Sequence, residues 1–203
     1  SDQSEETGTS YNASGVKADG NITISGGTVT VKNSGAMSKS IKSKATFFLK
    51  GGTVTLTPSG SMAVINNDAS YSTGVKAETF LMMGGTLDIT SSGAAGKAIS
   101  VTAMTQGAGT ITAKVTGAGQ TINSNRYTAK GIKTDGNLSL LGGSLTINTT
   151  QAGAKGIKVN GAYVQGQDGS DGPDIYVSTQ GARYGTSSGG GGWGGGMGKT
   201  TGQ

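Results

Sequence analysis

One phrase recurs along the chain, and its spacing limits the fold more than any other feature. The first copy runs Gly15-Val16-Lys17-Ala18-Asp19-Gly20, continues through Asn21-Ile22-Thr23-Ile24-Ser25-Gly26-Gly27 and closes in Thr28-Val29-Thr30-Val31-Lys32. The aliphatic anchor at Val16 returns at Ile41, Val75, Ile99, Ile132 and Ile157, at intervals of 25, 34, 24, 33 and 25 residues. Short and long units therefore alternate. A period of this length is the signature of stacked supersecondary units, none of which buries a core alone.

Each unit carries two alternating apolar-polar segments and a shorter one at the anchor, separated by Gly, Asn or Asp turns. Strands of three to six residues in that order predict an all-β fold, a single-stranded parallel β-helix of about six rungs with three short strands per rung. Val29 and Val31, Val54 and Leu56, Leu87 and Ile89, Leu145 and Ile147, and Ile175 and Val177 are expected to point inward and stack on their equivalents. The pairs Gly26-Gly27, Gly51-Gly52, Gly84-Gly85 and Gly142-Gly143 mark corners. The expected division is an N-terminal segment at 1–10 suited to capping one end, the β-helix at 11–184, and a Gly-rich flexible tail at 185–203 around Trp193.

The long units insert residues at one corner only, giving loops at 61–73 and 118–130, with residues 2–14 as their N-terminal equivalent. Each loop ends in a tyrosine, at Tyr11, Tyr71 and Tyr127, so a tyrosine column along one edge is expected.

Composition closes off much chemistry. There is no Cys and no His, which removes disulfides, thiolate metal sites and the commonest general base and metal ligand. With 39 Gly but only 2 Pro and no three-residue period, collagen is excluded. The net charge of +5 favours acidic partners, yet it is too modest and dispersed to suggest nucleic acid. No apolar run approaches the roughly 18 residues that span a bilayer, so no transmembrane segment is expected. The start at Ser1 rather than Met suits a mature export product or a trimmed chain.

The repeat register aligns particular side chains. A lysine follows the anchor in five of six units, as Lys17, Lys42, Lys76, Lys133 and Lys158, with Ser100 the exception. Inward anchors imply an outward lysine row, which suits either a bound polyanion or a solubilising face that discourages lateral aggregation. Lys39, Lys97, Lys130 and Lys155, two residues before the anchor, are expected to widen that basic strip. Asp19, Lys44 and Glu78, three residues after it, suit an exposed ion-pair ladder. Phe48, Leu81 and Met83 replace polar residues on an outward face, where an aromatic can stack on a sugar ring or pack against a second molecule. Asp168, Asp171 and Asp174 share a turn-rich insertion and are the candidate ligands for a metal ion, the alternative being a solvated acidic turn.

The phrases at 15–31 and at 130–147, the latter reading Lys-Gly-Ile-Lys-Thr-Asp-Gly-Asn-Leu-Ser-Leu-Leu-Gly-Gly-Ser-Leu-Thr-Ile, resemble a known family. It is the family of secreted bacterial β-helix carbohydrate-binding proteins, with members that bind cellulose and polygalacturonate. The resemblance runs from about residue 11 to 180. It implies a right-handed β-helix related to polysaccharide lyases, a secreted or cell-surface location, and calcium (Ca2+) held through Asp-rich turns. The chain departs from the family pattern at Ala36-Met37, Ala95 and Ala154, where rungs of the family often carry an Asp.

The lysine row, the stackable aromatics Phe48, Tyr71 and Tyr127, and the resemblance together predict a noncatalytic binder of acidic or plant cell-wall polysaccharide, such as polygalacturonate, along an outer face. The alternatives are a lyase-like enzyme, an ice-binding surface built on Thr30, Thr55, Thr112 and Thr146, and a structural or adhesive surface module. Lyase chemistry needs a base beside a group that neutralises the substrate carboxylate. The register places no acid cluster near these lysines, and neither a compact catalytic site nor a buried lysine of shifted pKa is expected.

Overall fold

The computed structural model describes residues 13–183, so Tyr11, Trp193 and the segments proposed for 1–10 and 185–203 lie outside the described residues. Among the described residues the chain is all-β, without a helix, and its main sheet of 14 strands is paired in parallel. No helix is long and apolar enough to cross a membrane.

Three parallel ladders carry the structure. In the first, the anchors follow one another in register: Val16 with Ile41, Ile41 with Val75, Val75 with Ile99, Ile99 with Ile132, and Ile132 with Ile157. The second aligns Ile22, Phe47, Phe80, Met104, Leu138 and Tyr163. The third aligns Val29, Val54, Leu87, Ile111, Leu145 and Ile175. Each repeat thus gives one strand segment to every ladder. In the two central repeats the three segments run together as the strands Thr73–Ser91 and Lys97–Val115.

The alternation read from the sequence explains the core. Ile41, Val75, Ile99 and Ile132 are fully buried, as are Leu56, Leu87, Ile111 and Ile147. Phe47 stacks on Phe80 with ring centroids 5.0 Å apart and planes 9° from parallel. Each such side chain contributes roughly 1.5–3 kcal/mol through burial, but only where a neighbouring repeat covers it. The terminal repeats show the converse. Val16 at one end and Tyr163 and Val177 at the other are exposed; Val177 keeps the inward register of Ile147, with its Cγ1 against Gly156, but among the described residues no further repeat covers it.

The Gly-Gly corners bring backbones together. Gly85 has φ 77°, and a Cβ there would stand 2.6 Å from the Gly52 carbonyl oxygen of the preceding repeat. Both the left-handed conformation and the close approach require the missing side chain.

The insertions of the long units are not plain loops. Ala63–Ile65 pairs antiparallel with Asp68–Ser70, and Gln120–Ile122 with Asn125–Tyr127. Their two-residue turns are Asn66-Asn67, with φ 49° and 63°, and Asn123-Ser124, with φ 48° and 62°. Two successive positive φ values belong to the turn type whose twist suits a hairpin, and Asn tolerates them better than most residues. Both hairpins leave the same corner, beside the first ladder.

Candidate functional site

The Ala63–Ser70 hairpin lies over the basic side of the first ladder and closes a cleft of about 330 Å³. Its floor is Lys42, Lys76, Ser100 and Lys133, and its sides include Lys39, Lys97 and the Asp68–Tyr71 segment. The expected lysine row therefore exists as one register column, running Lys17, Lys42, Lys76, Ser100, Lys133 and Lys158.

The second set of lysines departs from expectation. Lys39 and Lys97 are only 6% and 5% exposed, so they do not widen an open strip. The cause is a local break in alternation. The residue before each anchor is buried together with the anchor, as in Ser40-Ile41 and Ala98-Ile99, and the pairing skips that residue. Lysines two before and one after the anchor consequently reach the same cleft, the former beneath the hairpin. Small residues at the position before the anchor (Gly15, Ser40, Gly74, Ala98, Gly131 and Gly156) were the available signal. At Gly74 a Cβ would come within 2.9 Å of the Ile89 side chain.

The buried amines have few partners. Lys39 Nζ donates to the Tyr71 carbonyl oxygen and, at 3.4 Å, to Ser70 Oγ. Lys97 Nζ stands 3.3 Å from the centroid of the Tyr71 ring, and that ring meets Tyr127 edge-on at 6.2 Å. Lys130 Nζ donates to the Thr128 carbonyl at 2.9 Å. Burial, followed by repulsion from Lys42 and Lys76, pulls Lys39 down to about 7. Burial and then Lys130 and Lys133 pull Lys97 down to about 6, while burial and Lys155 bring Lys130 to about 8. Lys42 is lowered too, by burial first and then by Lys17. Burial, with Tyr127 and Asp68 nearby, raises the Tyr71 hydroxyl. The expectation that no buried lysine of shifted pKa exists is overturned, because a hairpin rather than an open loop covers the row.

Acids are few around the cleft. Asp68 lines it, and Asp135 pairs with Lys133 at 2.5 Å and is held below the usual carboxylate range by that lysine. Asp19 pairs with Lys44 at 3.0 Å, as the ladder of ion pairs requires. Lys158 lies beside Lys133 in register near the last repeat, and Lys17 is exposed on the first.

Depressed lysine pKa values have a consequence for stability. In the unfolded chain these amines hold their protons up to a pKa of about 10.4, whereas in the folded chain Lys97, Lys39 and Lys130 release them near 6, 7 and 8. Above about pH 6 the unfolded state thus binds more protons, and stability rises with pH toward the unfolded value. The thermal midpoint is expected to increase from pH 6 to pH 9, and Lys39→Met with Lys97→Met should flatten that rise. A midpoint that falls over this range would contradict the burial of these amines.

The other sequence candidates are not brought to this cleft. Phe48 is half-buried in the outward column Thr23, Phe48, Leu81, Thr105, Ser139 and Val164, with Lys50 Nζ 5.6 Å from its ring centroid. Met83 is exposed nearby. Tyr71 and Tyr127 do meet, but Tyr71 is engaged by the two buried lysines rather than presented as a flat platform. Asp168 and Asp171 line a separate open depression with Gly166, Gly172 and Pro173. Among the described residues no three acids are grouped so as to hold a metal ion, Asp168, Asp171 and Asp174 included. Gly166, Gly169 and Gly172 in this segment all take positive φ.

A family model described as carbohydrate-binding domain-containing protein matches residues 3–172. No curated protein matches the chain, and no solved structure matches it.

Proposed function

The chain belongs to the carbohydrate-binding domain-containing family, and from that premise we propose that it is a noncatalytic binder of acidic polysaccharide, seated on the lysine column of the first ladder. The observation that carries this reading is the cleft, where lysines from successive repeats meet only one lining carboxylate, Asp68. Parallel strands lie about 4.8 Å apart, so fixed cations follow one another at a spacing comparable to successive sugars in a linear chain. A polyanion then meets several of them without ordering costs on the protein side. The repeats, in this reading, wind as a right-handed parallel β-helix, and the protein acts outside the cell or on its surface, where plant cell-wall uronates such as polygalacturonate occur.

A glycan array in low salt tests the proposal. Polygalacturonate and other uronate polymers should bind, neutral glucans should bind less, and the uronate signal should fall sharply as salt rises. Equal binding of neutral and acidic glycans would move the site to the Phe48 face.

One observation favours a second reading. A lysine with a pKa of about 6 beside Tyr71 is the kind of group that removes a proton next to a uronate carboxylate in a β-elimination. Release of unsaturated uronide from polygalacturonate would establish a lyase, and its absence alongside binding leaves the noncatalytic reading.

A further inference from the structure

The cleft is unusual in where its charge comes from. Lys39 and Lys97 are more than nine-tenths buried yet have no carboxylate partner, and Lys97 Nζ has only the Tyr71 ring against it among the described residues. Around them stand Lys42, Lys76 and Lys133 from three of four successive strands, with Ser100 on the other, Lys130 beside Lys97, and Asp68 and Tyr71 from the hairpin. Asp135 is already committed to Lys133, and Tyr127 to the edge of Tyr71. Of these groups only Asp68 is an uncommitted negative charge, and it is exposed. A cavity of this kind is short of anions, and the two buried amines can remain deprotonated because no carboxylate pairs with them to offset the cost of burying their charge.

We propose that the hairpin-roofed cleft receives one anionic group of the ligand, a carboxylate or sulfate, and takes up protons onto Lys39 and Lys97 as it does so. The anion supplies the counter-charge that the fold withholds, the two amines become ammonium groups, and Lys97 turns from an amine on the Tyr71 ring into a cation on it. With the amines released near 6 and 7 in the empty cleft, affinity is greatest below pH 6 and declines as pH rises through 8. Lys42, Lys76 and Lys133 hold a residual affinity above that. This inference rests on the reading of the cleft as an anion site.

Calorimetric titration of the whole chain with sodium sulfate, and separately with oligogalacturonate, in buffers of different ionisation enthalpy at pH 7.5 measures the protons exchanged. Both probes stay ionised throughout the range used. The expected result is net uptake of roughly one to two protons per site and an affinity roughly tenfold weaker at pH 8.5 than at pH 5.5. The variant Lys39→Met/Lys97→Met should bind on its outer lysines with a flat pH profile and no uptake. If oligogalacturonate binds with no proton exchange and no pH dependence, the inference is overturned while the glycan reading stands. If sulfate binds with uptake but oligogalacturonate does not bind, the glycan reading falls and the proton-coupled anion site is supported. Failure of both probes to bind overturns both.

Discussion

Replacing Phe80 by Ala should cost about 3–5 kcal/mol of folding stability, the largest single-residue effect expected of any core position. Phe80 is fully buried, stacks on Phe47 from the repeat before it and faces Met104 from the repeat after it. Neither neighbour can move to fill the void, because each is held in register by parallel backbone pairing on its other side. Urea denaturation checks the figure, and the fold supplies its own control. Tyr163 occupies the same column but is 46% exposed on the last repeat, so Tyr163→Ala should cost about 1 kcal/mol or less. Equal costs at the two positions would mean that the repeats do not stack as described.

The largest functional effect is expected from the floor of the cleft. Lys42→Gln with Lys76→Gln removes two adjacent cations of the column while leaving a slightly shorter, uncharged polar side chain at each position. Binding of polygalacturonate in low salt should weaken by roughly 100-fold, about 1.4 kcal/mol for each charge lost to a multivalent polyanion. Either single variant should lose only about tenfold, since the remaining column still engages the chain. Thermal stability should be unchanged or slightly higher, because both lysines repel their neighbours in the empty cleft. Unaltered affinity in the double variant would reduce the row to a solubilising face.

How much of this was legible in the sequence differs between backbone and cleft. The six anchors fell into one column because an aliphatic residue that recurs between turns has only one way to be buried. The outward lysines and Phe48 followed from simple alternation. Alternation failed at Ser40-Ile41, Gly74-Val75 and Ala98-Ile99, where two successive residues face the interior. That one irregularity carried Lys39 and Lys97 under the hairpin. The hairpins were hidden for a different reason: Asn66-Asn67 and Asn123-Ser124 lack the glycine that usually marks such a turn.

The central claim, that an acidic glycan lies on the lysine column under the hairpin, is tested most directly by lysine acetylation footprinting. An amine-reactive reagent is applied with and without polygalacturonate, and the rate at each lysine is read by peptide mass spectrometry. Lys42, Lys76 and Lys133 should be protected by the glycan. Lys32 and Lys114, exposed on the outer side of the third ladder, should react at the same rate in both samples. Uniform protection of all these lysines, or protection confined to Lys50 beside Phe48, would contradict the account and place the glycan elsewhere.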